Sequence, residues 1–240
     1  MKILVIGGNR FVGKKLVEKL LIDSHDVTIF NRGGTGPNGA KIIECDRNSY
    51  DQLTERVNFS DFDCIVDMCL FKLNQFDKIK RFIPKNTNYI FVSSGAVDYI
   101  DTNSFGDYAT DKMKVEEALS ETKLNYKIIR PSYIVGIGNH RPRLGYYICQ
   151  LRTNSFIKID GDGNYPINLV FADDVVNCLY KLIKDDRVTH ETYNVCGDES
   201  VTINSLLELL KSELGVKEYK VLDSKDSLFP NQSFEFDNTK

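Results

Sequence analysis

The sequence predicts a doubly wound α/β fold, in which helices cover both faces of a parallel sheet. Short apolar runs that suit buried parallel strands recur along the 240-residue chain, beginning at residues 3–6. Segments with the apolar spacing of a helix alternate with these runs, beginning at residues 14–22. A glycine-containing turn at residues 7–13 joins the first strand to the first helix. Strands that alternate with helices in this way are typical of a parallel sheet.

The turn at residues 7–13 has the features of a pyrophosphate-binding site. Glycines allow the backbone to approach the anion closely, and the free N–H groups and dipole of the helix N-terminus favour negative charge. A second apolar strand at residues 27–30 completes a βαβ unit, so the sequence predicts a dinucleotide cofactor. The residues expected to contact it within the turn are Gly7, Asn9, Arg10, Phe11, Val12 and Gly13.

The end of the second strand indicates which dinucleotide is bound. A site that prefers NAD usually places Asp or Glu there, on the ribose 2′-hydroxyl. This chain has Asn31 and Arg32 instead. Asn31 removes the repulsion toward a 2′-phosphate, Arg32 offers it a bidentate partner, and Arg10 is expected on the same side. We therefore expect NADP to be the preferred cofactor, with NAD as the alternative.

The fourth and fifth predicted strands bring further residues to the same edge of the sheet. The fourth strand, at residues 64–69, ends in Met68 and Cys69, which we expect beside the cofactor where the strand order reverses. The fifth strand, at residues 88–92, is followed by Ser93 and Ser94. We expect Ser93 at the cofactor and Ser94 at the substrate.

Tyr108 and Lys112 are the candidates for acid–base chemistry. They are four residues apart in a helical segment, so they lie one turn apart on one face. An ammonium near a phenol favours the phenolate, and we expect Lys112 to lower the Tyr108 pKa from its free value of about 10. The Ser94 hydroxyl can hydrogen-bond the same substrate oxygen. These residues predict proton exchange at a carbonyl or alcohol.

Ser94, Tyr108 and Lys112 match the Ser–Tyr–Lys triad of the short-chain dehydrogenase/reductase family in type and order. With the glycine turn, the chain resembles its extended branch, the NAD(P)-dependent epimerase/dehydratase family. Arg10 replaces the middle glycine, and a Gly-Gly-x-Arg-Phe-x-Gly turn is similar to that of an atypical subgroup that includes chloroplast stem-loop-binding proteins. The resemblance implies a Rossmann fold in which Tyr108 is the acid–base group and Tyr108 and Lys112 also contact the cofactor.

The resemblance also assigns roles to residues that carry no strong signal by themselves. Asp46 and Arg47, after the third strand at residues 41–45, match the position that borders the adenine. Pro131, at the end of the sixth strand, matches the segment under the nicotinamide. Family members commonly dimerise through two helices, which correspond here to residues 73–83 and 108–119. A homodimer is therefore expected by resemblance.

The predicted organisation is a main domain with a small appended lobe. Residues 1–135 and 167–200 are expected to form the dinucleotide-binding Rossmann domain. Residues 136–166 and 201–240 are expected to form a small substrate lobe, either naturally reduced or truncated. Asp174 is predicted as the N-cap of one helix and Thr202 as the N-cap of another at residues 203–214.

Bulk properties limit the classes of partner. The net charge is −3 with interspersed signs, which argues against nucleic acid as the main partner. Apolar runs are too short to span a bilayer, and the N-terminal run is a strand rather than a signal peptide. The six cysteines are scattered and lack zinc-site spacing, so we expect reduced core thiols, no metal and a cytoplasmic location.

Three functions are consistent with this sequence. The first is an NADP-dependent reductase or dehydrogenase that exchanges hydride with a small carbonyl or alcohol substrate through Ser94, Tyr108 and Lys112. The second is a nucleotide-sugar epimerase that holds its cofactor tightly, although the segment before Phe171 lacks the Arg-Asp pair that such enzymes often carry. The third is a non-catalytic NADP- or RNA-binding protein, which the acidic balance and intact triad disfavour.

Overall fold

The computed structural model describes residues 1–102, 105–153, 156–225 and 227–236 of the chain. In chain order the strands are β1 (Lys2–Ile6), β2 (Asp26–Asn31), β3 (Lys41–Glu44), β4 (Cys64–Asp67), β5 (Asn88–Val92), β6 (Asn125–Pro131), β7 (Tyr133–Val135), β8 (Phe156–Ile159), β9 (Pro166–Phe171), β10 (Glu191–Val195), β11 (Ser200–Thr202) and β12 (Lys220–Asp223). The α-helices are α1 (Phe11–Ile22), α2 (Tyr50–Arg56), α3 (Leu73–Ile79), α4 (Gly106–Ser120), α5 (Arg143–Thr153), α6 (Ala172–Lys184) and α7 (Ile203–Leu214).

Seven strands form one parallel sheet in the order β3-β2-β1-β4-β5-β6-β10. The order reverses between β1 and β4, because the chain leaves β1 toward β2 and β3 and returns on the other side. The loops that follow β1 and β4 therefore diverge at the carboxyl edge and leave a crevice there. The expectation of a doubly wound parallel α/β fold is confirmed.

Alternate residues of the central strands pack against opposite helix layers. Ile3 and Val5 of β1 belong to an apolar cluster that includes residues of α1 and α6. Leu4 and Ile6 belong to a second cluster that includes residues of α2, α3 and α4. Both faces of β1 are consequently buried, which explains why the strand has a continuous apolar run instead of an alternating pattern.

The remaining strands form two small sheets outside the main one. Strand β9 pairs with β7 in parallel and with β11 in antiparallel orientation, and β8 pairs with β12. A third apolar cluster lies among these strands, α5 and α7, and Phe229 and Phe234 from the C-terminal segment are fully buried in it. This cluster forms the lobe beside the carboxyl edge; the domain boundaries stated above stay a prediction.

The two predicted helix N-caps have different outcomes. Thr202 caps α7, because its hydroxyl accepts from the Ser205 N–H at 3.0 Å and the Ser205 hydroxyl lies 3.0 Å from the Thr202 N–H. The prediction for Asp174 is wrong. Helix α6 begins at Ala172 with Phe171 as its N-cap, and Asp174 lies in the first turn, where its charge still suits the helix dipole.

No helix in the part of the chain that the structure describes is both long and apolar enough to cross a membrane. Within the same residues, no group of three or more His, Cys, Asp or Glu side chains is arranged to hold a metal ion.

Candidate active site

The glycine turn brings the backbone of β1 against the start of α1. A Cβ on Gly13 would lie 2.3 Å from the Gly7 carbonyl oxygen, so no other residue fits there without a backbone shift. Gly7 itself has a φ of +90°, in the region that favours glycine. The N-cap residue Arg10 makes no side-chain hydrogen bond to the helix. The first N–H groups of α1 therefore have no side-chain cap, and an anion can take that place.

The end of β4 lies directly beside this turn, as predicted. A Cβ on Gly7 would lie 3.3 Å from the Cys69 sulfur and 3.7 Å from the Met68 Cβ. Phe11 lies on the other side, where its ring approaches the glycines that follow β7: a Cβ on Gly136 would be 3.7 Å from it. The turn, the β4 end and the segment after β7 thus enclose one crevice at the strand-order switch.

Asn31 organises the loop that presents Arg32. Its side-chain amide donates to the Thr35 carbonyl at 2.7 Å, and its side-chain oxygen accepts from the Gly33 N–H at 2.8 Å. These bonds fold the loop back on β2 and leave Asn31 only 9% exposed. Arg32 and Arg10 are exposed, and neither has an ion pair among the described residues. Asn31 therefore shapes the loop, while the two guanidinium groups remain available to an anion.

Arg47 has a different partner from the one expected. Its guanidinium is buried and makes a bidentate pair with Asp67, with N–O distances of 2.8 and 2.9 Å. Asp67 is fully buried at the end of β4 and also accepts from the Tyr89 hydroxyl at 3.1 Å. The pair ties the loop after β3 to β4 below the crevice. The Arg47 guanidinium is thus committed to the protein instead of facing an adenine.

Asp46 also has a local structural role. Its carboxylate accepts from the backbone N–H of Asn48 at 2.9 Å, and its own N–H donates to the Gln52 side chain at 3.0 Å. These bonds shape the turn between β3 and α2. Its position is compatible with the adenine-bordering role, which stays a prediction.

Ser94 and Tyr108 meet at the carboxyl edge of the sheet. The two side-chain hydroxyls are close enough for Ser94 to influence the Tyr108 phenol, and the Ser94 oxygen accepts from the Ala96 N–H at 3.2 Å. Tyr108 is 42% exposed, so a molecule in the crevice can reach it. The surrounding protein nevertheless desolvates the phenol and raises its pKa above 10, an effect that the nearby Ser94 hydroxyl opposes.

Lys112 lies one turn below Tyr108 and is 2% exposed. Its ammonium donates to the Val92 carbonyl at 2.8 Å and lies 5.0 and 4.8 Å from the ring centroids of Phe71 and Phe91. Desolvation lowers the Lys112 pKa to about 8. The ammonium is 6.0 Å from the centroid of the Tyr108 ring. The expected lowering of the Tyr108 pKa by Lys112 is therefore wrong for the free protein, because burial of the phenol dominates.

Ser93 is engaged in a network that the sequence analysis missed. Its hydroxyl donates to the buried Glu116 carboxylate. Arg130, near the end of β6, donates to the same carboxylate from Nε at 3.1 Å and from Nη2 at 2.5 Å. A further nitrogen of Arg130 donates to Asp98 at 2.6 Å. Pro131 follows, buried in the strand. The Ser93 side chain therefore fixes the scaffold and does not face the crevice as a free donor.

A weak signal for Glu116 was present in the sequence. It lies four residues after Lys112 and eight after Tyr108, so all three share one helix face. The partners of that carboxylate come from β5 and β6, however, and no local pattern connects them.

The matches to known proteins agree with this architecture. The model of the NAD dependent epimerase/dehydratase family matches residues 3–92 and 78–196. The chain is 24% identical to chloroplast stem-loop binding protein of 41 kDa b from Arabidopsis thaliana over 92% of this chain, which spans 65% of that protein's length. It is 25% identical to a bifunctional pinoresinol-lariciresinol reductase from Linum perenne, over 79% of this chain and 67% of that one.

Solved structures share the fold at lower identity. UDP-glucose 4-epimerase from Thermotoga maritima, with UDP-glucose, aligns with a TM-score of 0.77 and 20% identity, over 100% of this chain and 90% of that one. UDP-glucuronic acid 4-epimerase from Bacillus cereus, with UDP-glucuronic acid and NAD, aligns with a TM-score of 0.75 and 16% identity, over 98% of this chain and 90% of that one. The family model covers most of the chain, and the sheet order and glycine turn fit it. The chain belongs to the NAD-dependent epimerase/dehydratase family.

Proposed function

We propose that this protein is an NADP-preferring oxidoreductase that exchanges hydride with a carbonyl or alcohol substrate. The observation that carries the proposal is the proximity of the Ser94 and Tyr108 hydroxyls at the mouth of the crevice, one helical turn from Lys112. Two hydroxyls that meet beside a reacting oxygen can hydrogen-bond it and transfer a proton to it. The likeness to pinoresinol-lariciresinol reductases supports this reaction class.

Some residues of the crevice are assigned to cofactor binding and others to proton transfer. The uncapped N-terminus of α1 would hold the pyrophosphate, and Lys112, one turn below Tyr108, would hold the nicotinamide ribose. NADPH supplies the hydride when bound. Tyr108 donates its proton to the substrate oxygen as the carbonyl becomes an alcohol, and Ser94 holds that oxygen in place. A raised Tyr108 pKa keeps the phenol protonated, which suits proton donation in the reductive direction.

The preference for NADP rests on Arg32 and Arg10. Both guanidinium groups are exposed at the crevice end of β1 and β2, and Asn31 leaves no carboxylate to repel a 2′-phosphate. We expect NADPH to bind about tenfold or more tightly than NADH, a difference of about 1.4 kcal/mol. Titrations followed by nucleotide fluorescence measure the ratio. Arg32→Gln should weaken NADPH binding and leave NADH binding unchanged, while Arg152→Gln on α5 should change neither.

The identity of the dinucleotide that co-purifies is an independent test. Acid release followed by mass spectrometry should find weakly held NADP(H). Stoichiometric NAD that does not exchange would overturn the cofactor assignment.

The triad is tested by Tyr108→Phe. Removing the phenolic hydroxyl removes the proton donor, so we expect kcat to fall by about 10²- to 10⁴-fold. NADPH affinity should stay within about twofold, because the ring remains. Tyr193→Phe, in β10, is the matched control and should retain activity. Full turnover by Tyr108→Phe would contradict the assigned role.

A nucleotide-sugar epimerase is the second candidate. The fold similarity to UDP-glucose 4-epimerase, and 23% identity to a putative UDP-glucose 4-epimerase from Methanocaldococcus jannaschii, favour it. An epimerase would use the same triad with a cofactor that is oxidised and reduced again within one cycle. A rise in melting temperature with UDP-glucose, together with tightly held NAD, would favour this function over the reductase.

RNA binding is the third candidate, supported by the relative named as a stem-loop binding protein. The net charge of −3 disfavours it. RNA affinity that falls steeply with added salt would support it.

A further inference from the structure

Arg143, the first residue of α5, is a partly buried cation without an anionic partner. Its Nε donates to the Leu228 carbonyl at 3.1 Å. Its guanidinium carbon lies over two aromatic rings, 4.7 Å from the centroid of Tyr133 and 5.6 Å from that of Phe229. Burial lowers the Arg143 pKa. Among the described residues it forms no ion pair with a carboxylate.

The other two well-shielded guanidinium groups of this protein are paired differently. Arg47 has Asp67 at 2.8 Å, and Arg130 has Glu116 at 2.5 Å and Asp98 at 2.6 Å. Desolvating a cation costs free energy that a nearby carboxylate normally offsets. Arg143 has only two ring faces and one carbonyl as partners, which offset the cost of desolvation less than a carboxylate does. An anion from outside the chain would complete its surroundings.

The position of Arg143 connects it with the candidate catalytic residues. Its neighbour Tyr133 contacts the ring of Phe105, the residue that precedes α4, with centroids 6.5 Å apart. Its charge, together with that of Arg141, acts to lower the Tyr108 pKa against the effect of burial. The Arg143 guanidinium, in the lobe, therefore lies close enough to Tyr108 for its charge to act on the phenol.

We infer that Arg143 binds an oxyanion of the substrate, so that the carbonyl compound reduced at Tyr108 carries a carboxylate or phosphate group. A guanidinium stacked on aromatic rings keeps its in-plane N–H groups for bidentate contacts, and both Nη atoms of Arg143 lack a hydrogen-bond partner among the described residues. Tyr133 and Phe229 hold the guanidinium in position. The inference rests on the proposed function, because it places the reacting carbon at Tyr108.

Binding in a non-reactive complex tests the inference. The protein saturated with NADP⁺ is titrated calorimetrically with benzaldehyde, 4-carboxybenzaldehyde and 4-formylphenyl phosphate. The anionic aldehydes should bind about tenfold or more tightly than benzaldehyde. The stronger of the two identifies carboxylate or phosphate as the preferred group. Arg143→Gln should abolish the advantage and leave benzaldehyde binding within about twofold, and Arg143→Lys should retain part of it.

Arg152→Gln, at the other end of α5, is the matched control and should bind all three aldehydes as the unaltered protein does. Circular dichroism and the melting temperature show whether each variant is folded. If neither anionic aldehyde binds more tightly than benzaldehyde, or if Arg143→Gln weakens all three equally, Arg143 serves only the aromatic cluster and the inference fails.

Turnover separates this inference from the proposed function. NADPH oxidation is followed at 340 nm with the same three aldehydes. If the anionic aldehydes bind through Arg143 but NADPH is not oxidised, the anion site is supported and the proposed reductase function is contradicted. Reduction of all three aldehydes at equal kcat/KM, unchanged in Arg143→Gln, would keep the reductase and reject the anion site.

Discussion

Lys112 shows how strongly a single environment can change the chemistry of a side chain. In the sequence it is simply a lysine four residues after a tyrosine. In the structure its ammonium is fully enclosed between two phenylalanine rings and one backbone carbonyl. Burial without a contacting carboxylate lowers its pKa to about 8, so the free protein begins to lose this charge just above neutral pH.

The lowered Lys112 pKa predicts a specific pH dependence of stability. Between pH 8 and 10.5 the unfolded chain retains the proton that the folded protein has lost, so this site makes unfolding harder as pH rises. Burying the charged Lys112 lowers the unfolding free energy by about 3 kcal/mol, and this loss is fully present only below pH 8. Urea unfolding measures the unfolding free energies of the cofactor-free protein and of Lys112→Met. Between pH 7 and 10.5, the unaltered protein should gain up to about 3 kcal/mol of stability relative to Lys112→Met.

Lys114→Met provides the comparison for this experiment, because Lys114 is exposed on the same helix. Its difference from the unaltered protein should stay constant across the pH range. A constant difference for Lys112→Met as well would show that the Lys112 ammonium is solvated in the folded protein.

At the scale of elements, Arg130 connects the segments that carry the candidate catalytic residues. Through Glu116 it anchors α4, which carries Tyr108 and Lys112. Through Asp98 it anchors the 3₁₀ segment that follows Ser94. One guanidinium at the end of β6 thus sets where the two hydroxyls meet.

Removing this guanidinium should destabilise the protein and misplace the triad. Arg130→Met leaves the buried Glu116 without its cation, and we expect a loss of about 3 kcal/mol in unfolding free energy. The double variant Arg130→Met/Glu116→Met should lose less than the sum of the two single variants. Chemical denaturation of the four proteins measures the coupling. Arg187→Met removes an exposed ion pair with Asp185 and should have little effect.

At the scale of the whole molecule, the C-terminal segment joins the lobe to the main sheet. Phe234 is 1% exposed, its N–H donates to the Pro166 carbonyl at 2.9 Å, and its carbonyl accepts from the Asn168 N–H of β9 at 2.8 Å. Two residues later, the Phe236 ring would be 2.2 Å from a Cβ on Gly95, beside Ser94. Contacts from the end of the chain therefore help to shape the mouth of the crevice.

Phe234→Ala tests this closure. The buried Phe234 ring contacts Tyr133, which lies beside Phe229 in the same cluster. Its truncation should lower the unfolding free energy by about 3–5 kcal/mol. For a chain of this size, that corresponds to a fall in melting temperature on the order of 10 °C. Thermal denaturation measures it. Leu209→Ala, on the exposed side of α7, should change the melting temperature little, and an equal fall in both variants would contradict the role of Phe234.

Most of the secondary structure was predictable because its signals are local. Apolar runs, helical spacing, the glycine turn and the Thr202 cap all depend on residues within one or two turns of each other. Strand β5 begins and ends at the predicted residues, and the end of β4 meets Gly7 as expected. The proximity of Ser94 and Tyr108 was predicted by the resemblance to the Ser–Tyr–Lys triad, and Tyr108 lies in α4, the first α-helix after β5.

The sequence by itself determined the parallel α/β class, the glycine turn and the identity of the candidate triad, because apolar periodicity and the spacing of glycines depend on residues that are close in the chain. Only the tertiary structure decided the partners and protonation of the charged groups. Arg47 faces Asp67, Ser93 faces Glu116, and Lys112 and Tyr108 have shifted pKa values. The reason is physical: pairing and desolvation depend on atoms from distant parts of the chain, which meet only after the fold has formed.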